Sequence, residues 1–177
     1  ARHESLWGIV NGIDYNDYNP ATDKKIYKNY TIKNFRKNNV ENKLALQKKL
    51  GLPEDKDAYM IGIISRLTDQ KGLDLVDRIM NDICTDGTQF VVLGTGDRRY
   101  EDMFKYYQGI HPAKVSANIY YSDDLSHKMY AACDAMLSLF KSHLLRCAFS
   151  RKLSSVNPKA KSRPGAYIPP TLFCPNM

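Results

Sequence analysis

Between Tyr59 and Ser138, apolar runs too short for helices alternate with amphipathic stretches of helical spacing, a pattern that few architectures accept. The runs Tyr59–Ser65, Phe90–Leu93, Val115–Tyr121 and Ala135–Ser138 read as four strands. Thr68 or Asp69 can cap a first intervening helix with Leu73, Val76, Ile79, Met80 and Ile83 inward and Asp74, Asp77, Arg78 and Asp82 outward. Asp97 opens a second, with Tyr100, Met103, Phe104 and Tyr107 on one face, and Leu125 to Ala132 forms a third. Strands joined by helices of this length run parallel, with right-handed crossovers. The expected fold class is therefore α/β, a partial doubly wound parallel sheet. Upstream, ENKLALQKKLG predicts a short amphipathic helix carrying Leu44, Leu46 and Leu50, stopped by Gly51 with Pro53 just beyond. The segment Trp7 to Pro20, WGIVNGIDYNDYNP, has the Asn, Gly and Asp content of a shaped loop.

After Ser138 the alternation stops, so the sheet is expected to end at its fourth strand. Of the 177 residues, 139 to 177 hold seven basic side chains, no Asp or Glu, and five of the eight prolines. The formal net charge of +7 resides entirely in that tail, because residues 1–138 carry 19 basic and 19 acidic groups. A basic excess confined to one segment permits a rival reading, a non-enzymatic module attaching to nucleic acid or acidic partners through its tail. The tail carries no recognisable nucleic-acid-reading motif, which ranks that alternative second.

The longest apolar stretch, Tyr59 to Ile64, is far below the roughly 18–20 residues that span a bilayer, and the chain opens Ala-Arg-His-Glu-Ser rather than with an export signal. A cytoplasmic protein without membrane attachment is expected. Cys84, Cys133, Cys147 and Cys174 form no CxxC pair and have no histidine at a metal-site spacing, so reduced structural thiols and no metal are expected.

Ligands of open parallel sheets bind beyond the carboxyl ends of the strands. Three segments gather there: Ser65 to Gly72 (SRLTDQKG), Gly94 to Asp97 (GTGD) and Tyr120 to Asp124 (YYSDD). The first places Arg66 and Lys71 around a turn entering a helix, an anion site suited to a diphosphate, although two solvated surface charges are the commoner meaning of an arbitrary pair. In the second, Gly94 and Gly96 flank Thr95, so that backbone can approach a ligand. Tyr121 offers a flat face for a base, with a core tyrosine the equal alternative. His127, within the third helix and near Asp123 and Asp124, reads as structural in the absence of a visible nucleophile. The tyrosines between Tyr15 and Tyr30 read as loop packing rather than a stacking platform. A nicotinamide site is excluded by SRLTDQKG where GxGxxG would stand, and no Walker loop occurs.

The motifs NGIDYNDYNPATD, LQKKLGLP, IGIISRLTDQKGLDL, VVLGTGDRRYE and LSHKMYAACDA, in this order between about Leu6 and Met136, resemble the bacterial glycogen (starch) synthases that use ADP-glucose. The resemblance implies a GT-B glycosyltransferase: two Rossmann-like domains facing a cleft, retaining chemistry, no metal requirement, and no cofactor beyond ADP-glucose as donor substrate. By that likeness residues 1–20 form the interdomain linker, 21–138 a partial donor-binding C-terminal domain, and 139–177 a basic Pro-rich tail unrelated to it. Arg66 and Lys71 would be the catalytic pair, holding the ADP diphosphate and neutralising the departing nucleotide. Gly94, Thr95 and Gly96 would line the nucleotide pocket, Tyr121 would lie against adenine, and α-glucan would be the partner of the complete enzyme.

The family's acceptor domain, with its Lys-Thr-Gly-Gly loop and cleft histidine, has no counterpart in the sequence. Nor does the Glu-Pro-Cys-Gly-Leu segment expected after the fourth strand, where Leu139 to Leu144 stand instead. The tail is accordingly expected to be a frameshifted or misassembled reading. The expected whole is a glycogen synthase fragment that does not turn over alone.

Overall fold

The computed structural model describes residues 12–138 and 146–148. In chain order the elements are α1 (Phe35–Leu50), β1 (Tyr59–Ile64), a 3₁₀ turn (Asp69–Lys71), α2 (Leu73–Ile83), β2 (Thr88–Leu93), α3 (Arg98–Ile110), β3 (Val115–Asn118), α4 (Asp123–Ala132), β4 (Ala135–Ser138) and β5 (Arg146–Ala148). The sheet order is β3-β2-β1-β4-β5. The first four strands are parallel, with Ile61 of β1 opposite Phe90 of β2 on one side and Ala135 of β4 on the other. The chain thus winds outward from β1 to β3 and then crosses to the far side of β1, the strand-order reversal of a doubly wound sheet.

Strand pleating sends alternate residues of β1 and β2 into two cores. Ile63, Phe90 and Val92 join Leu73, Val76 and Met80 of α2 and Tyr100, Phe104 and Tyr107 of α3. Met60, Val91 and Leu93 join Leu46 of α1 and Leu125, Met129 and Ala132 of α4. Among the described residues no helix is long and apolar enough to cross a membrane.

Four local expectations are corrected. Thr68 precedes the 3₁₀ turn rather than α2, and its side chain makes no capping hydrogen bond; Gly72, in the left-handed region at φ 62°, is what turns the chain into the helix at Leu73. Ile79 is 44% exposed rather than inward, leaving Leu73, Val76 and Met80 as the buried stripe. β3 ends at Asn118, not Tyr121, because its partner strand ends at Leu93; the last rung is the Gly94 N–H donating to the Asn118 carbonyl at 3.1 Å. The sheet also does not end at the fourth strand, since Arg146–Ala148, from the segment read as tail, pairs antiparallel with β4. The remainder of residues 139–177 lies outside the described residues.

α1 is longer than its leucines predict. Its buried face is largely polar: Asn38, Asn42, Lys43 and Gln47, beside Leu46. Each polar group has a partner from another segment. Asn42 accepts from the Lys28 N–H and donates to the Lys28 carbonyl, both at 2.8 Å, and Gln47 donates to Gln89 on β2 at 2.8 Å. Buried amides satisfied in this way fix where the 20–30 loop and the α1–β1 connection run.

In α3, Gly109 faces open space where a side chain would project. Gly109→Ala should therefore raise stability by about 0.5–1 kcal/mol through helix propensity alone, seen as a higher urea midpoint at unchanged slope.

Candidate functional site

Beyond the carboxyl ends of β1 and β2 lies a cavity of about 310 Å³. Its walls are Ile64 to Arg66 at the end of β1, Leu93 to Thr95 at the end of β2, Tyr120 to Ser122 leading into α4, Asp123, Ser126 and Tyr130 on α4, and Tyr18. Of the residues expected from sequence, Arg66, Gly94, Thr95 and Tyr121 line it together, whereas Lys71 and Gly96 are not among its walls. Arg66 is exposed and Lys71 is half-buried in the 3₁₀ turn that follows. Tyr121 is 87% exposed, which removes the reading of a core tyrosine.

The glycines of GTGD serve a contact within the protein. A Cβ on Gly94 would stand 1.9 Å from the Ser65 carbonyl oxygen, and one on Gly96 would stand 2.3 Å from that of Leu67. This close approach lets the Leu67 N–H donate to the Thr95 carbonyl at 2.9 Å and the Asp97 N–H to the Leu67 carbonyl at 2.7 Å. The loop bearing Arg66 and the loop bearing Thr95 are thereby stitched together, and the cavity's β1 and β2 walls form one backbone unit.

The opposite wall is built on His127. Its ring is 2% exposed, with Nδ1 2.7 Å from Asp23 Oδ2 and Nε2 3.2 Å from Lys25 Nζ. Lys25 also donates to Asp123 at 2.5 Å and Asp17 at 3.2 Å. Those carboxylates raise the Lys25 pKa above the usual lysine value, and the Lys25 hydrogen bond holds Asp123 below the usual carboxylate range. Asp17 and Asp23 come from the NGIDYNDYNPATD loop and His127 from α4, so the loop is pinned to the helix across the boundary expected at residue 20. The loop keeps its own shape through Asx turns, in which Asp14 accepts from the Asn16 N–H at 2.8 Å and Asn19 from the Ala21 N–H at 3.0 Å. Tyr18 stacks on His127 with ring centroids 4.5 Å apart and an interplanar angle of 10°. Sequence reasoning assigned His127 a structural role near Asp123 but did not find Tyr18 as a wall; the Asx-rich loop was the available signal. Of the tyrosines in that stretch Tyr30 is buried, while Tyr15, Tyr18 and Tyr27 are exposed.

At its α4 end the cavity is poorly disposed to anions. Ser122 Oγ accepts from the Leu125 N–H at 3.1 Å, and Asp123 and Asp124 occupy the first turn, so side chains already answer the helix dipole. Among the described residues that line the cavity, Arg66 at the end of β1 is the cation. Among the described residues no group of His, Cys, Asp and Glu is arranged to hold a metal ion.

No protein-family model matches the chain. Individual proteins do. It is 58% identical over 156 residues to the glycogen synthase of Lachnospira eligens, a match taking in 87% of this chain and 32% of that protein. It is 52% identical over 136 residues to that of Thermosipho melanesiensis, covering 77% of this chain and 28% of the relative. The chain corresponds to one segment of a bacterial glycogen synthase. It spans about a third of the length of the curated synthases it matches. The catalytic domain of starch synthase IV from Arabidopsis thaliana, whose structure was solved bound to ADP and acarbose, superposes with a TM-score of 0.63 at 34% identity, covering 73% of this chain and 27% of that one. The glycogen and starch synthases are glycosyltransferases, and the Rossmann-like sheet expected from the sequence is the part of their fold shared with this chain. The L. eligens synthase match covers more of the chain than residues 1–138 contain, so the likeness reaches past Ser138.

Proposed function

We propose that the chain is the donor-binding part of a glycogen synthase, which transfers glucose from ADP-glucose to the nonreducing end of an α-1,4-glucan in the cytoplasm. In this reading Arg66 and Lys71 hold the diphosphate, and their charge stabilises the departing ADP as the glycosidic bond to it breaks. Gly94 and Thr95 flank the nucleotide and Tyr121 stacks on adenine. The observation that carries it is the convergence of Arg66, Gly94, Thr95 and Tyr121 on one cavity at the carboxyl edge of the sheet. The ADP bound to the structurally similar starch synthase IV supports the same ligand class. Because the chain matches about a third of its relatives, glucosyl transfer is proposed only in company with the rest of a synthase; alone it is expected to bind nucleotide without turnover.

Charge-assisted hydrogen bonds contribute about 1.5–3 kcal/mol each, so Arg66→Ala should weaken ADP binding by about 10- to 150-fold in calorimetry on the full chain. Equal affinities for variant and parent would remove Arg66 from the diphosphate site.

A further inference from the structure

We propose that Tyr18, contributed by the loop that precedes the first helix, is a ligand-contacting wall of this cavity that grips the nucleoside rather than the phosphates. The inference rests on the nucleotide reading above and adds to it a residue, a position and a division of labour.

Three observations carry it. Tyr18 lines the same cavity as Arg66 and Tyr121, and it is 42% exposed although one ring face lies against His127. Part of the ring therefore stays uncovered at a residue that is one of the cavity's walls. Second, the ring is fixed before any ligand arrives. His127 is clamped by Asp23 and Lys25, Tyr130 meets Tyr18 edge to face at 6.2 Å, and the Tyr18 N–H donates to the Asp14 carbonyl at 2.9 Å. A ring held in this way gives up little freedom on stacking, which favours affinity. Third, the cavity is polar in the electrical sense. Arg66 stands on the β1 wall, while Tyr18, Tyr120, Tyr121 and Tyr130 gather with Asp123 on the other. The Asp123 carboxylate, already paired with Lys25, can still accept hydrogen bonds from hydroxyl or amino groups, and aromatic faces take a base in stacking. A nucleoside diphosphate lying across the cavity satisfies both ends only with its phosphates at Arg66 and its nucleoside among the tyrosines.

The test compares ADP with inorganic pyrophosphate on the full chain. Base stacking on an aromatic side chain contributes enough that Tyr18→Ala should weaken ADP binding by roughly 5- to 150-fold. It should leave pyrophosphate affinity unchanged, whereas Arg66→Ala should weaken both. Tyr18→Phe should retain most of the ADP affinity, which separates the ring's contribution from the hydroxyl's. Tyr18→Trp provides a spectroscopic readout, because its emission should fall on ADP addition by more than the Trp7 signal of the parent does. Circular dichroism of Tyr18→Ala identical to the parent excludes unfolding as the cause. If ADP binds in an Arg66-dependent manner and Tyr18→Ala leaves its affinity unchanged, this inference is overturned while the nucleotide reading stands. Equal losses for ADP and pyrophosphate in Tyr18→Ala overturn it too, by showing a general distortion of the cavity. If the parent chain binds no ADP, both readings fall together.

Discussion

Gly94→Ala should destabilise the protein by at least about 3 kcal/mol, near the upper end of single-substitution effects. The added methyl meets a backbone carbonyl rather than a yielding side chain, at a separation of 1.9 Å from Ser65 O. That oxygen has little room to retreat. The Ser65 N–H donates to the Leu93 carbonyl at 3.2 Å, so moving residue 65 strains the last rung between β1 and β2, and the Gly94 N–H is itself committed to the Asn118 carbonyl of β3. Three strand ends converge on one residue that has no Cβ. The same displacement would carry Arg66 away from Thr95, so ADP affinity should be lost with stability and not independently of it. Urea denaturation of parent and variant measures the effect; a shift under about 1 kcal/mol would show that the two loops separate easily and that the cavity walls are not the rigid unit inferred. Gly109→Ala provides the contrast, since its new methyl meets nothing.

This dependence also explains which parts of the molecule could be read from the sequence. The α/β core was legible because its code is apolar spacing. Leu73, Val76 and Met80 recur at helical intervals and are buried, as are Tyr100, Phe104 and Tyr107. The same code overextended β3, since Ile119 and Tyr121 continue the alternation past the point where β2 offers a partner. It found the second half of α1 through Leu44, Leu46 and Leu50 and its stop at Gly51, but not the first half or the inward face written in Asn, Lys and Gln; only hydrogen bonds to chain segments far away in sequence make such a face a buried one. The site divides along the same line. Arg66, Gly94, Thr95 and Tyr121 sit at strand ends, where the topology alone directs attention. Tyr18 and the clamp around His127 depend on a loop more than 100 residues away in sequence from the helix it meets, and no periodicity announces that contact. Of the two glycines picked out for backbone approach to a ligand, Gly94 lines the cavity and Gly96 does not, and the missing Cβ of each is spent on the neighbouring loop.

Lys43→Met should cost about 3–5 kcal/mol, because it breaks a buried ion pair from one side. Lys43 and Asp134 are 2% and 5% exposed, and the ammonium donates to the Asp134 carboxylate and, at 2.8 Å, to the Ala58 carbonyl. Asp134 also accepts from the Met60 N–H at 2.9 Å, and its own N–H donates to the Met60 carbonyl at 2.8 Å. One pair therefore joins α1 to the start of β1 and to the residue just before β4. Methionine can occupy the volume of the lysine stem, so the loss is electrostatic: a buried carboxylate without its cation and a carbonyl without its donor. Asp134→Ala should cost as much or more, since it leaves the Met60 N–H unpaired together with the ammonium. The two changes share their partners, so the double variant should be less damaged than the sum of the singles by roughly 0.5–3 kcal/mol. Strict additivity in urea denaturation would mean that each group acts alone and that the pair does not hold α1 to the sheet. The magnitude matters for the cavity as well, because α1 packs against α4, and α4 carries Asp123, Ser126, His127 and Tyr130. Against a total stability of about 5–15 kcal/mol, a loss of this size would populate states in which α1 has left the sheet. ADP affinity in Lys43→Met should then fall only as far as the folded fraction falls, and intrinsic affinity measured well below the unfolding midpoint should match the parent.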